Sequence, residues 1–206
     1  MEEINDLLLK ILDKVTINNL WNFLYLVAGA LLGFLVQFLL NKRSEKQKRK
    51  DLLIETYSNL SEYGTRLIEV TKSIVVQIFL ITYYQELLKT SIEKNENIDS
   101  INYLKNQFSE KNKFFKKLKD RRVEIISCFQ RETTRFSLLS NSENGSQSLS
   151  NMKKYDVYKP VNEYLSNTEI EKIIDVNHGI VEITKSVNNE FGIMIQNYLT
   201  EVRPII

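Results

Sequence analysis

From Leu20 to Leu40 the chain reads LWNFLYLVAGALLGFLVQFLL, 21 residues without a charge, and NKRSEKQKRK follows at once. At about 1.5 Å per residue such a helix is roughly 31 Å long, close to the ~30 Å hydrocarbon core of a bilayer. The pattern predicts one transmembrane helix, with Trp21 and Tyr25 near one edge, where amphipathic rings settle. A cleaved signal peptide is the rival reading, on the small residues Ala28-Gly29-Ala30. The acidic leading segment and the length of apolar chain beyond those residues oppose it.

Inside the run, Asn22, Gly29, Gly33 and Gln37 fall within one arc of about 100° on a 3.6-residue helix, with Leu24, Leu31, Phe34, Leu35 and Phe38 outside it. Gly29-x-x-x-Gly33 lets two helix backbones approach closely, and the Gln37 amide can bond across such a contact or line a wet lumen. These four residues are the expected oligomer or pore face.

Downstream, Leu53, Tyr57, Leu60, Gly64, Leu67, Thr71, Ile74, Ile78, Ile81, Gln85 and Leu88 alternate by four and three, a heptad-like stripe in a helix from about Lys46 to Ile92. The stripe fits the buried edge of an intramolecular bundle better than a seam between subunits. Gly64 is its weak point, costing up to ~1 kcal/mol against alanine. Ser73 to Tyr84, SIVVQIFLITYY, is apolar nearly all round, but at about 18 Å it is too short for a second span and predicts a core helix. After a polar break at Glu93 to Asn97, Asp99 or Ser100 is the expected N-cap of a second long helix. Its stripe is Ile101, Leu104, Phe108, Phe115, Leu118, Ile125, Phe129 and Phe136.

Ser140 to Lys154 has no periodicity and reads as a mobile loop, open to proteolysis. Thr168-Glu-Ile-Glu171 has capping-box spacing. It opens a last helix whose stripe is Ile170, Ile173, Ile174, Asn177, Val181, Thr184, Val187, Phe191, Met194, Tyr198 and Val202, ending before Pro204. Asn177 and Thr184 are polar intruders placed to bond across the bundle. The fold class is therefore all-α: one N-terminal transmembrane helix followed by a cytoplasmic antiparallel bundle of long helices. Residues 1–19 form a short amphipathic segment, 20–40 the span, 41–51 a basic collar, and 52–206 the bundle with its loop at 140–154. Six glycines and two prolines in 206 residues agree, since barrels and sandwiches need more turns.

Charge sets the orientation. Residues 1 to 19 carry Glu2, Glu3, Asp6 and Asp13 against Lys10 and Lys14, while the collar carries Lys42, Arg43, Lys46, Lys48, Arg49 and Lys50 against Glu45 and Asp51. The positive side stays in the cytoplasm, so the amino terminus is expected outside and the bundle inside. A net charge of +2 does not by itself imply nucleic-acid binding. A local arc does raise it: Lys113, Lys116, Lys117, Lys119 and Arg121, opposite Phe114, Phe115 and Leu118. With Lys42, Arg43 and Lys46 these cations are candidates for contact with anionic lipid or RNA. A solvated helix face is the plainer reading, because no aromatic interleaves the arc.

The chemical inventory is sparse. One histidine and one cysteine exclude His/Cys zinc types, no carboxylates have evident ligand spacing, and no GxxxxGK[ST] or GxGxxG loop is present. Cys128 beside Phe129 suits a small core residue, and His178 a surface or packing residue. No cofactor, metal or small-molecule substrate is expected, and no catalytic constellation points to an enzyme.

In layout, the span, the collar from Lys42 to Lys50 and the helical remainder resemble small bacterial membrane-anchored effectors of anti-phage systems, including the accessory proteins of type VI CRISPR systems. The resemblance implies a homo-oligomer in the inner membrane whose spans gather into a pore or membrane-perturbing ring. Relatives with a HEPN-like domain carry an arginine four to six residues before a histidine. His178 has none there, which argues against a nuclease. The alternative is a tether whose helical domain recruits a cytosolic protein, RNA or lipid.

Overall fold

The computed structural model describes residues 2–140, 146–168 and 175–203, and every regular element among them is helical. In chain order these are α1 (Glu2–Glu93), α2 (Ile98–Ser140), α3 (Ser146–Lys153), α4 (Lys159–Ser166), α5 (Val176–Val187), a π-helical turn (Asn188–Gly192) and α6 (Ile193–Glu201). The chain divides into two units between Asp51 and Leu52, and α1 contributes to both. The first unit is helix alone.

In the second unit α1 and α2 run antiparallel. Glu55 meets Arg135, Asn59 meets Glu132, Gly64 faces Phe129 and Tyr84 approaches Tyr103, so the partners step in opposite directions along the two helices. Asn95 makes the reversal, with a left-handed φ of 52°. Its N–H donates to Ile92 O at 3.1 Å and that of Glu96 to Ser91 O at 3.0 Å, satisfying carbonyls that the helix end leaves open. The N-cap of α2 is Asn97, not Asp99 or Ser100: its side-chain oxygen accepts from the Asp99 N–H at 3.1 Å. Asp99 lies in the first turn instead, where a carboxylate favours the positive end of the helix dipole.

All eight positions of the α2 stripe face inward, buried or half-buried. On α1 the stripe is deepest from Leu60 to Ile78, fading to half-buried Ile81 and Leu88 and exposed Gln85. Ser73 to Tyr84 supplies the buried side chains Ile74, Val75, Ile78 and Phe79, as a core helix should. The stripe thus closes an intramolecular core. Gly64 is a close-packing position and not a weak point: a Cβ there would stand 2.9 Å from Ile195 Cγ2.

The short helices cover this hairpin with Met152, Val161, Ile183, Val187, Phe191, Ile195, Tyr198 and Val202. Part of the expected loop at 140–154 is therefore helix. Met152, 1% exposed, anchors α3 in the core, overriding the weak propensity of its serines and asparagines. The remaining loop positions 141–145 lie outside the described residues, as do residues 169–171 of the capping box, Ile170, Ile173, Ile174 and Pro204. The described start of α5 is capped by Asp175, whose carboxylate accepts from the Asn177 N–H at 2.8 Å.

The phase of α5 also differs from expectation. The inward positions are Val176, Ile180, Ile183 and Val187, whereas Asn177 and Val181 are exposed. Inward residues 183, 187, 191 and 195 succeed one another by fours, which would drift around a regular helix by about 40° per step. The wider π turn at Asn188–Gly192 absorbs the drift. A stripe extended backward at helical spacing therefore arrives on the wrong side. Thr184 bonds Ile180 O of its own helix at 2.8 Å and does not reach across the bundle.

Candidate functional site

The Leu20–Leu40 stretch is helical throughout, rich in leucine, a strong helix former. Every side chain from Trp21 to Leu40 is exposed, the large apolar ones included. Within α1 this makes one helix long and apolar enough to cross a membrane. Asn22, Gly29, Gly33 and Gln37 lie on its surface, and a Cβ added to either glycine would meet nothing within 4 Å. Gln37 Nε2 donates to Asn41 Oδ1 at 3.2 Å, which adds Asn41 to the polar strip. Sequence reasoning omitted Asn41, although its place four residues after Gln37 is the signal that puts the two amides side by side. Trp21 and Tyr25 pair their rings at 6.2 Å.

The cations expected to touch lipid or RNA are all presented to solvent: Lys42, Arg43 and Lys46 in the collar; Lys113, Lys116, Lys117, Lys119 and Arg121 on α2. The collar cations belong to the first unit and the α2 cations to the second. Phe115 is half-buried and Leu118 buried behind the α2 arc, and Lys119 Nζ stands 5.6 Å from the Phe115 ring centroid. Phe114 corrects the expectation. It is 50% exposed, on the outer flank and not opposite the cations, so an aromatic does neighbour them.

Two further arrangements involve residues that sequence reasoning did not select. Around the π turn, Arg122 lies half-buried with its guanidinium 5.9 Å from the Phe191 ring centroid, and Phe191 packs on Tyr155 at 4.7 Å. Nε and Nη2 of Arg122 and the Tyr155 hydroxyl are buried with no hydrogen-bond partner. Burial holds the Arg122 pKa below the ordinary arginine value; burial and then the Glu190 carboxylate push Tyr155 up to about 12. Lys159 donates to Glu190 at 2.8 Å, and that bond raises the pKa of the lysine. A π turn is a frequent marker of function, but it has no single-residue signature in a sequence.

The other is an open groove of about 520 Å³ along α2, lined by Ser127, Gln130, Arg131, Thr134, Arg135 and Leu138. Next to these arginines on α2, Glu132 is 6% exposed, with Arg131 Nε at 3.7 Å, Arg135 Nη1 at 3.7 Å and Asn59 Nδ2 at 3.5 Å from its carboxylate. Arg135 also stands 3.6 Å from Glu55. Cys128 is half-buried and His178 exposed, and neither enters a constellation with the other. Among the described residues, no three His, Cys, Asp or Glu side chains gather as a metal site would require.

Fold and surface together define an all-α protein carrying one helix able, by length and composition, to cross a membrane. No family model, curated protein or solved structure matches the chain.

Proposed function

We propose that the protein is a single-span membrane protein that self-associates through the Asn22, Gly29, Gly33 and Gln37 face and perturbs the bilayer when its spans gather. The amino terminus lies outside and the bundle in the cytoplasm, with homo-oligomers in the inner membrane as the resemblance to anti-phage effectors implies. One observation carries this reading: Asn22, Gly29, Gly33 and Gln37 share one exposed strip of the span, together with Leu26 and Leu40, and nothing lies within 4 Å of where a Cβ would stand on either glycine. Gln37 spends its amide on Asn41 alone, a bond within its own helix. An amide carbonyl left without a donor in hydrocarbon costs several kcal/mol by transfer from water (~4–8 for cyclohexane), which a second helix or a wet lumen relieves.

The test uses the whole protein reconstituted in vesicles, measuring particle mass and dye leakage. Gly29→Leu separates the helix backbones and Gln37→Leu removes the bridging amide, so each should reduce both assembly and leakage. A particle that stays monomeric at high protein-to-lipid ratio refutes the reading. The exposed α2 arc beside Phe114 supports a second one, a tether that recruits lipid, RNA or protein. There, Gly29→Leu is silent while replacing Lys113, Lys116 and Lys117 by glutamate abolishes recruitment.

A further inference from the structure

We propose that the groove over the C-terminal half of α2 binds a phosphoryl group. The site stands independently of the span and of any self-association. Its volume of about 520 Å³ falls within the ~300–1,000 Å³ common for small-molecule sites. Residues 127, 131, 134 and 138 succeed one another at helical spacing, so Arg131 and Arg135 project from one side of α2.

What those two guanidinium groups lack, among the described residues, is a close carboxylate acceptor. Their approaches to Glu132 and Glu55, at 3.6 to 3.7 Å, are too long to be hydrogen bonds. Each fork therefore keeps most of its donors, and a phosphoryl group takes such forks in a bidentate way. Lys153 of α3 adds a third positive charge. Its Nζ donates to Gln130 Oε1 at 2.7 Å, a neutral acceptor that leaves the charge uncompensated and the Gln130 NH2 free to donate. Arg131 and Arg135 stand near the carboxylates of Glu132 and Glu55 while Lys153 stands at Gln130, so these five side chains carry one positive charge in excess, which a bound anion balances.

The hydroxyls refine the picture. Ser127 donates to Val123 O at 3.0 Å and Thr134 to Gln130 O at 3.1 Å, so their protons are committed to the helix. Recognition thus rests on the guanidinium and amide donors. A tetrahedral phosphoryl group can collect donors arriving from separate side chains, whereas a planar carboxylate is satisfied by one fork. At the rim Leu138 is 74% exposed, an apolar contact for whatever carries the phosphate. The carrier is either a soluble phosphate ester or an anionic lipid headgroup.

The full chain in maltoside micelles, which contain no phosphate, is titrated calorimetrically with inorganic phosphate, and separately examined by native mass spectrometry after mixing with short-chain phosphatidylglycerol. Arg131→Gln combined with Arg135→Gln should weaken binding about ten-fold or more, by loss of charge-assisted hydrogen bonds. Leu138→Glu, on a side chain 74% exposed, adds a repelling charge outside the buried core and should do the same. Lys89→Gln with Lys105→Gln, exposed residues away from both the groove and the α2 arc, should leave it within about two-fold as screened remote charges. Binding of phosphate assigns a soluble ligand; retention of the lipid alone assigns a headgroup. The proposal fails if neither probe binds at millimolar concentration. It also fails if the groove variants bind as the native chain does, or if the variant of Lys89 and Lys105 weakens binding equally.

Discussion

Replacing Gly64 by alanine sets two physical terms of opposite sign against each other. Alanine is favoured over glycine inside a helix by about 0.8–1.0 kcal/mol, so propensity alone predicts a more stable protein. Packing predicts the reverse. The new Cβ would stand 2.9 Å from Ile195 Cγ2, 3.5 Å from Leu199 Cδ1 and 3.6 Å from Phe129 Cε2. Ile195 is 1% exposed and Phe129 fully buried, so neither has open space to enter. The isoleucine Cγ2 is fixed to a branched Cβ and is stiff about χ1, unlike the tip of a flexible chain. Overpacking by a methyl group costs about 1–3 kcal/mol, so the net effect is a loss of up to about 2 kcal/mol. Guanidinium chloride denaturation of the full chain in mild detergent measures it, followed by near-UV circular dichroism of the tyrosines in the second unit. The midpoint should fall for Gly64→Ala alone. In an Ile195→Leu background, which removes the offending methyl from Cβ, the same change should be neutral or stabilising, a coupling of about 1–2 kcal/mol. A raised midpoint with Ile195 intact would refute the close approach of α1 and α6.

Thr133→Val should cost about 1–3 kcal/mol, because the Tyr198 hydroxyl donates to Thr133 Oγ1 at 3.0 Å in the core and is left unpaired; adding Tyr198→Phe should recover part of the loss in the same denaturation assay. Asn97→Ala removes the side-chain oxygen that caps α2 and should cost about 1 kcal/mol, with faster amide exchange confined to the first turn of that helix. Tyr155 has a folded-state pKa raised to about 12 from 10.0, so its neutral phenol contributes stability that is complete below pH 10 and is lost as pH rises toward 12. Tyr155→Phe should flatten that part of the alkaline melting profile. An unchanged profile would mean that the phenol ionises as readily in the folded chain as in the unfolded one.

Regular periodicity was the most legible part of the fold. The α2 stripe from Ile101 to Phe136 needs only a 3.6-residue repeat, and each of its positions turned inward because no irregular turn interrupts α2. The last helices show where that logic ends. From Val202 back to Val187 the inward face follows the expected residues, but one π turn shifts everything before it. Met152 was lost among serines and asparagines because a single buried anchor has no period. Arg131 and Arg135 are, in sequence, two solvated arginines four residues apart. Their interest lies in distances to Glu55 on another helix and in the volume of the groove they line, neither of which a one-dimensional pattern contains.

Glycine separates the two units more sharply than hydropathy does. At two bundle positions the missing side chain is accounted for: Gly64 admits Ile195, and Gly179 admits the Phe79 ring, whose Cζ would lie 2.8 Å from an added Cβ; at Gly192 only Asn188 Oδ1 comes near, at 3.9 Å. Gly64 and Gly179 each cost the helix propensity that alanine would have supplied, and each returns a close contact within the chain. Gly29 and Gly33 carry the same cost with nothing within 4 Å to offset it. In a membrane helix that asymmetry has a physical resolution, since small residues let a second backbone approach and gain dispersion contacts that lipid does not supply as densely. Gly64 and Gly179 are explained by the fold of one chain, whereas Gly29 and Gly33 of the span call for a neighbour. That is why the mass of Gly29→Leu in vesicles, and not a catalytic assay, is the experiment on which the proposed function turns.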